Sequence, residues 1–378
     1  MKNYFIITIL TIILNTNAYS DHKIEEQYFS GVSYSAPGSN NYQKLETELV
    51  DNKLSQYVQK QLDNRDKTGL VNYLLYENGK IVINKKNYND VIKKNKNLLR
   101  SNSMGKSLTS YVVGHSVCKG YIDSVNVRLD DWIVLNDTLY ADNTLLQVLN
   151  MTSGDQDYIG EKKFKSDGNF KDEKNKQINR RTVAESMLWF KGTKKKKENS
   201  PYNYSAMSTH VAINYVIHKV GKDYEKLLKE IFTDHVGVKD NVHFMKVSWS
   251  PKDVVKGSQR YSFFATAEDY IRIGKTLYND YNSDSCIGDY LRTVYDNRVD
   301  KKKKHDDTKS VFAYAKQYGG QFHMSLKGMK DRVIFAMDGY AGQQLVIDME
   351  NGTIIHVGSV DQHYNWNKLI YNVMKKGL

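Results

Sequence analysis

Ser103-Met104-Gly105-Lys106-Ser107-Leu108-Thr109-Ser110 is the stretch on which the reading of this chain turns. It sets a serine and a lysine three residues apart at the start of an apolar helical pattern that ends near Cys118. On a helix, residues i and i+3 share a face one turn apart, so the Lys106 amine falls within reach of the Ser103 hydroxyl. An alcohol is a poor nucleophile near neutrality and needs a neighbouring base or cation. The N–H groups of a first helical turn also point at any oxyanion that forms there. The bare tetrad equally fits an ordinary helix start capped by serine. A nucleotide loop is excluded. Gly105-Lys106-Ser107 would close the pattern G-x-x-x-x-G-K-[ST], but its first glycine would have to stand where Arg100 does. Leu108, Tyr111, Val112 and His115 follow with i, i+3, i+4, i+7 spacing and predict a buried helix that Gly120 ends.

The N-terminus carries Lys2, an apolar run from Tyr4 to Leu14, then Thr16, Ala18 and Ser20. That order predicts a signal peptide over residues 1–18, with processing within 16–20, and hence export to the periplasm or the extracellular space of a bacterium. The run is too short to span a bilayer, which takes about 20 apolar residues; an uncleaved N-terminal anchor is the alternative. No integral span is expected in the mature chain. The formal net charge of +12 invites a nucleic-acid reading. The lysines are dispersed, however, and the runs Lys194–Lys197 and Lys301–Lys304 fall in polar segments that read as solvated loops. No nucleic-acid partner is expected. With only two cysteines, Cys118 and Cys286, a disulfide framework is excluded; a single bridge between them stays open, and Cys118, inside an apolar helix face, reads first as a buried free thiol. The ten histidines are scattered and show no zinc-site spacing.

Residues 19–65 read as an irregular arm followed by a helix over 43–63. Asn78-Gly79 between two β-rich runs predicts a hairpin over 69–83. From Ser103 to about residue 295 the patterns are mainly helical, with helices at 144–149, 211–220, 224–232 and 267–278. Extended segments return at 311–318, 321–326, 332–337, 343–347 and 353–357, and a helix closes the chain at 363–376. Strands at both ends around a helical block imply an α+β fold (an α/β sandwich). Its antiparallel sheet is built from both chain ends, flanked by helices, with an inserted all-helical lobe. The expected domain spans 66–378, with a sheet lobe of 66–100 and 310–378 and a helical lobe of 103–305.

Two further segments extend the constellation. Pro201-Tyr202-Asn203-Tyr204-Ser205-Ala206 lies just before a helix, and a phenol beside an ammonium can take and return a proton. Asp338-Gly339-Tyr340-Ala341-Gly342-Gln343 sits between two strand candidates, where glycines admit a close approach of substrate to backbone. Together with Leu149-Asn150-Met151-Thr152-Ser153-Gly154 and Phe264-Ala265-Thr266-Ala267-Glu268-Asp269, these segments occur in an order that resembles the serine hydrolases related to penicillin-binding proteins and class C β-lactamases. The branch containing esterases and 6-aminohexanoate-oligomer hydrolases looks most similar. The resemblance implies Ser103 as acylated nucleophile, Lys106 as its activator and Tyr204 as general base and acid. The backbone N–H groups of Ser103 and Tyr340 would form an oxyanion hole, and Ala206, Asp338 and Gly339 would line the substrate site. No metal or cofactor is implied. Two departures stand out. Ala206 occupies a position usually held by Asn or Ser, and Met337 one often held by Lys or His. The missing cation points away from carboxylate-bearing substrates and toward small neutral or amine-bearing esters and amides. A β-lactamase or D-alanyl-D-alanine carboxypeptidase activity, and a catalytically silent binding protein of the same fold, remain the alternatives. Oligomeric state is left open.

Overall fold

The computed structural model describes residues 33–159, 182–246, 259–301 and 310–377; the expected signal peptide, part of the arm and Lys302–Lys304 lie outside them. Thirteen strands lie in two sheets: β1 Ser33–Ala36, β2 Glu46–Thr47, β3 Leu70–Glu77, β4 Lys80–Lys86, β5 Leu99–Arg100, β6 Val242–Lys246, β7 Gln259–Ala265, β8 Val299–Asp300, β9 Ala315–Gly319, β10 Phe322–Leu326, β11 Ile334–Gly339, β12 Gln343–Asp348 and β13 Ile354–Ser359. The large sheet has the order β2-β4-β3-β13-β12-β11-β10-β9-β8. Its named pairs are antiparallel, except that β2 runs parallel to β4. The first strands of the chain thus pair with the last, as expected. Asn78 and Gly79 both take positive φ (52° and 84°) and turn β3 into β4.

Strand alternation gives the sheet two apolar faces. Leu74, Phe335, Met337, Leu345 and Ile347 point into the core shared with the helical lobe. Leu75, Ala336, Val346 and Ile355 point to the opposite layer, where Val58 and Leu62 meet Leu369 and Ile370. Six helices matter here: α1 Lys53–Asp63, α2 Met104–Cys118, the short α3 Leu145–Leu149, α4 Ala206–Val220, α5 Ala267–Tyr281 and α6 Cys286–Asp296. Helix α2 is buried from Met104 to Ser116, so the segment bearing the Ser/Lys pair runs through the middle of the molecule.

Four expectations need correction. The helical lobe is not all helix: β1, β6, β7 and β5 form a second, four-stranded antiparallel sheet, and β1 lies within the arm read as irregular. The first helix begins at Lys53 rather than 43, capped by Asn52 accepting from Ser55 N–H, and Leu49 is exposed. Residues 311–314 form a helical turn before β9 begins. Cys118 is not a free thiol. It is bonded to Cys286 and ties the end of α2 to the start of α6 across a separation of 168 residues. Apolar spacing carried no sign of that pairing, because Cys118 is only half-buried and its partner lies on another helix.

Candidate active site

The turn before α2 is clamped from three sides. Ser101 N–H donates to the Phe263 carbonyl at 2.7 Å, and its hydroxyl accepts from Phe263 N–H at 2.8 Å, fixing the turn to β7. Asn102 takes a left-handed φ of 47°, tolerable for asparagine, and its amide donates to the Tyr340 carbonyl at 3.0 Å. Gly105 explains itself by contact: a Cβ there would come within 1.8 Å of the Tyr261 carbonyl oxygen. Only glycine lets β7 lie this close to the first helical turn. Gly339 is equally constrained, since a Cβ would meet the Ser101 carbonyl at 2.4 Å. The predicted nucleophile turn and the strand motif are therefore in direct backbone contact.

Ser103 takes the N-cap position of α2, yet its side chain makes no capping bond. The hydroxyl instead accepts from the Lys106 ammonium at 2.9 Å. The plain helix-cap alternative is thereby removed. Ser103 is half-buried, whereas Lys106 is buried.

Two phenols face that ammonium, not one. Lys106 Nζ lies 5.0 Å from the centre of the Tyr204 ring and 3.4 Å from that of Tyr261, on β7. Burial pulls the lysine down, but the two phenols outweigh it and hold Lys106 above the ordinary amine value. Tyr204 is pushed up by burial, against the pull of Lys106. For Tyr261 burial also pushes up, but Lys106, then Arg260 and a hydrogen bond from Ser103, bring it below the ordinary phenol value. His210 of α4 stacks on Tyr261 with ring centres 5.2 Å apart, and burial followed by Arg260 and Lys106 keeps that imidazole neutral.

Tyr204 is presented by the chain just before α4, with Ser205 as N-cap and Ala206 as the buried first helical residue. Ser205 and Tyr140 both donate to the buried Asp155 carboxylate. Asn203 N–H donates to the Met151 carbonyl at 2.9 Å, and the Gln156 amide reaches the Tyr204 carbonyl at 3.4 Å. The segment after α3 is thus the mould that fixes the tyrosine.

The strand motif gives a mixed result. Met337 is fully buried in the core that the sheet shares with α2, on the face of β11 opposite to Asp338. Asp338 is half-buried, with Oδ1 enclosed and unpartnered among the described residues. Burial raises its carboxyl to about 7, opposed by the charge of Lys301. Lys301 was read as part of a solvated loop. It is buried, donates to the Phe312 carbonyl and titrates at about 8, mainly through burial. Phe312 in turn meets the Tyr204 ring edge-to-face at 5.3 Å. A cation therefore does stand beside the strand motif, delivered from β8 rather than from position 337. Tyr340 is 82 % exposed, so only its backbone bears on the site.

Sequence reasoning missed Tyr261, Asp155 and Lys301. Asp155 directly follows the quoted Ser153-Gly154 and was within reach of inspection. Tyr261 carries no local signal among 28 tyrosines.

A protein-family model described as Beta-lactamase matches residues 54–368. Among curated proteins none matches the sequence significantly. Among solved structures, a proposed 6-aminohexanoate-dimer hydrolase from Bacillus anthracis superposes with a TM-score of 0.61 at 16 % identity, covering 91 % of this chain and 89 % of that one. A penicillin-binding protein from Bacillus halodurans gives 0.55 at 12 % identity, over 84 % and 99 % of the two chains. EstCE1, a hydrolase with promiscuous acyltransferase activity, gives 0.55 at 11 % identity, over 83 % and 96 %. At these identities the likeness is one of fold.

Proposed function

The chain belongs to the beta-lactamase family, and from that premise we propose that it is an exported serine hydrolase acting on small esters or amides through an acyl-enzyme at Ser103. The observation that carries the reading is the 2.9 Å contact from the Lys106 ammonium to a Ser103 hydroxyl left free of capping duty. In the first step Ser103 Oγ attacks the substrate carbonyl and its proton passes to Tyr204, which must be in its phenolate form to accept it. The tyrosine then protonates the leaving alcohol or amine as the tetrahedral intermediate collapses to the Ser103 ester. Water attacks that ester as Tyr204 takes its proton, and the tyrosine passes that proton to Ser103 Oγ as the acid departs, restoring both residues. Lys106 stays charged throughout, which favours both alkoxide and phenolate. The backbone N–H groups of Ser103 and Tyr340 are the proposed oxyanion donors, and Ala206, Asp338 and Gly339 the proposed edge of the substrate site. Export rests on the N-terminal sequence pattern; no helix among the described residues is long and apolar enough to cross a membrane.

A second reading exchanges the phenols. Tyr261 lies closer to Lys106 and is shifted down where Tyr204 is shifted up, so it is the phenol that more readily becomes a base.

Ser103→Ala tests the common core of both readings. Turnover of a short-chain nitrophenyl ester is expected to vanish, together with the mass increment left by an activated phosphonate, while circular dichroism is unchanged. A folded Ser103→Ala protein with undiminished turnover would refute the assignment.

A further inference from the structure

At the opposite end of α2 the chain assembles a group of side chains that the hydrolase reading leaves unused. His115 of α2, His235 at the end of the π-helical turn Lys229–His235, and Asp280 of α5 each present one ligand atom, all within 4.8 Å of one another. We propose that these three residues form a binding site for a divalent transition metal of the zinc type, with an open coordination position toward solvent.

Three observations point the same way. First, the Asp280 side chain is only 7 % exposed, and its sole ion-pair partner among the described residues is His235, with Nε2 at 2.9 Å from Oδ1. A buried carboxylate without a permanent cation calls for one. Second, His115 Nε2 is enclosed and has no hydrogen-bond partner among the described residues. A protonated His235 could answer Asp280 alone, but it would leave His115 Nε2 unmatched. A divalent cation satisfies all three.

Third, the surroundings suit a metal. Tyr111 donates to Asp280 Oδ2 at 2.5 Å and orients the carboxylate, as outer hydrogen-bond partners do in metal sites. A neighbouring lysine, Lys119, is engaged by Glu230 at 2.7 Å. The His235 side chain is 41 % exposed and provides both entry and adjustment. Zinc bonds of about 2.0–2.2 Å require ligand atoms roughly 3.3 Å apart, so binding closes the widest separation, within 4.8 Å here, by up to about 1.5 Å and slightly opens the 2.9 Å contact between His235 and Asp280. The Cys118–Cys286 bond, one turn beyond His115, holds α2 in register with the start of α6, which follows closely on α5.

The test uses the full mature chain, stripped by chelator and titrated with Zn²⁺ by calorimetry and with Co²⁺ by visible absorption. One equivalent should bind with micromolar or tighter affinity, and Co²⁺ should show the intense bands of a four- or five-coordinate site. His235→Ala, at an exposed position, and His115→Gln, with its fold checked by circular dichroism, should each weaken binding at least tenfold. His363→Ala, at the exposed His363–Asp361 pair, should leave it unchanged. Absence of a stoichiometric event, or affinity unaltered by His235→Ala, overturns the proposal. Ser103 lies twelve residues away at the other end of α2, about 18 Å along the axis, so ester hydrolysis reports on the serine independently of this result.

Discussion

Two lysines are buried among the described residues, Lys106 and Lys301, and they hold their protons with opposite strength. Both lose hydration on folding, which by itself disfavours the ammonium. Lys106 is answered by two phenols and a serine hydroxyl and ends above the ordinary amine value. Lys301 is answered chiefly by a carbonyl and by Asp338, itself half-neutralised by burial, and falls to about 8. Burial therefore does not decide the charge of a lysine; the partners do. One position keeps a fixed positive charge beside the Ser103 hydroxyl. The other titrates close to neutrality at the edge of the same site.

The largest effect that would break this contrast is the loss of Lys106. Lys106→Met removes a charge while nearly keeping volume, so the fold should stand at equal or slightly greater stability. kcat/KM for the ester should nevertheless fall by roughly 10²–10⁴. Lys301→Met, by contrast, should cost less than about tenfold, because no reacting atom touches Lys301. Equal losses in the two variants, measured beside thermal unfolding, would erase the distinction between a chemical and a peripheral lysine.

Next in size is the division of labour between the phenols. With Tyr204 as proton carrier, Tyr204→Phe should lose about 10²–10³ in kcat/KM, whereas Tyr261→Phe keeps the ring face under the ammonium and should lose less. Removing the Tyr261 hydroxyl also withdraws a group that raises Lys106, so the alkaline limb of the pH profile should move to lower pH in that variant. If Tyr261→Phe is instead the more damaging change, and it alters the acidic limb, the roles are exchanged.

What the sequence could and could not reveal follows from the distances over which each feature is built. Ser103 and Lys106 are legible because a helix places i and i+3 together without help from the rest of the chain. The sheet is legible because Asn78-Gly79 and the terminal apolar runs each carry a local pattern. Tyr204 was one phenol among many until the resemblance of its segment to a known family gave it a role. Tyr261, Lys301 and the Cys118–Cys286 bond were illegible for one common reason: each acquires its meaning from a partner on a remote segment. The second sheet escaped notice because β1, β5, β6 and β7 come from three separate stretches, and the one with clean alternation, β1, is only four residues long. Lys301 was misread for a subtler reason. A run of four lysines averages to a solvated loop, yet its first member is the end of a strand connection and folds inward.

The smallest effect, and the sharpest test of how Lys301 differs from Lys106, is the pH dependence of stability. The Asp338 carboxyl stands at about 7 in the folded chain against an ordinary 3.8. Between those values the native state retains a proton that the unfolded chain has released, so stability falls as pH rises through this window and then levels. Asp338→Asn cannot titrate. Its stability relative to the parent should therefore improve from about pH 5 to about pH 8, by on the order of 1–3 kcal/mol once partial exposure is allowed for. Lys301, at about 8 against an ordinary 10.5, acts in the next window and with the opposite slope. There the unfolded chain keeps a proton that the native state has lost, so stability recovers as pH rises from about 8 toward 10.5. Lys106 adds no slope across either window, because a raised lysine loses its contribution only above the ordinary amine value. Urea midpoints at a series of pH values and constant ionic strength, for the parent, Asp338→Asn and Lys301→Met, read these arms separately. A stability difference between parent and Asp338→Asn that stays flat from acid to neutral pH would mean that the carboxylate is solvated and charged like any surface aspartate. Lys301 would then lie beside an ordinary anion, and the contrast between the two buried lysines would have to rest on Lys106 alone.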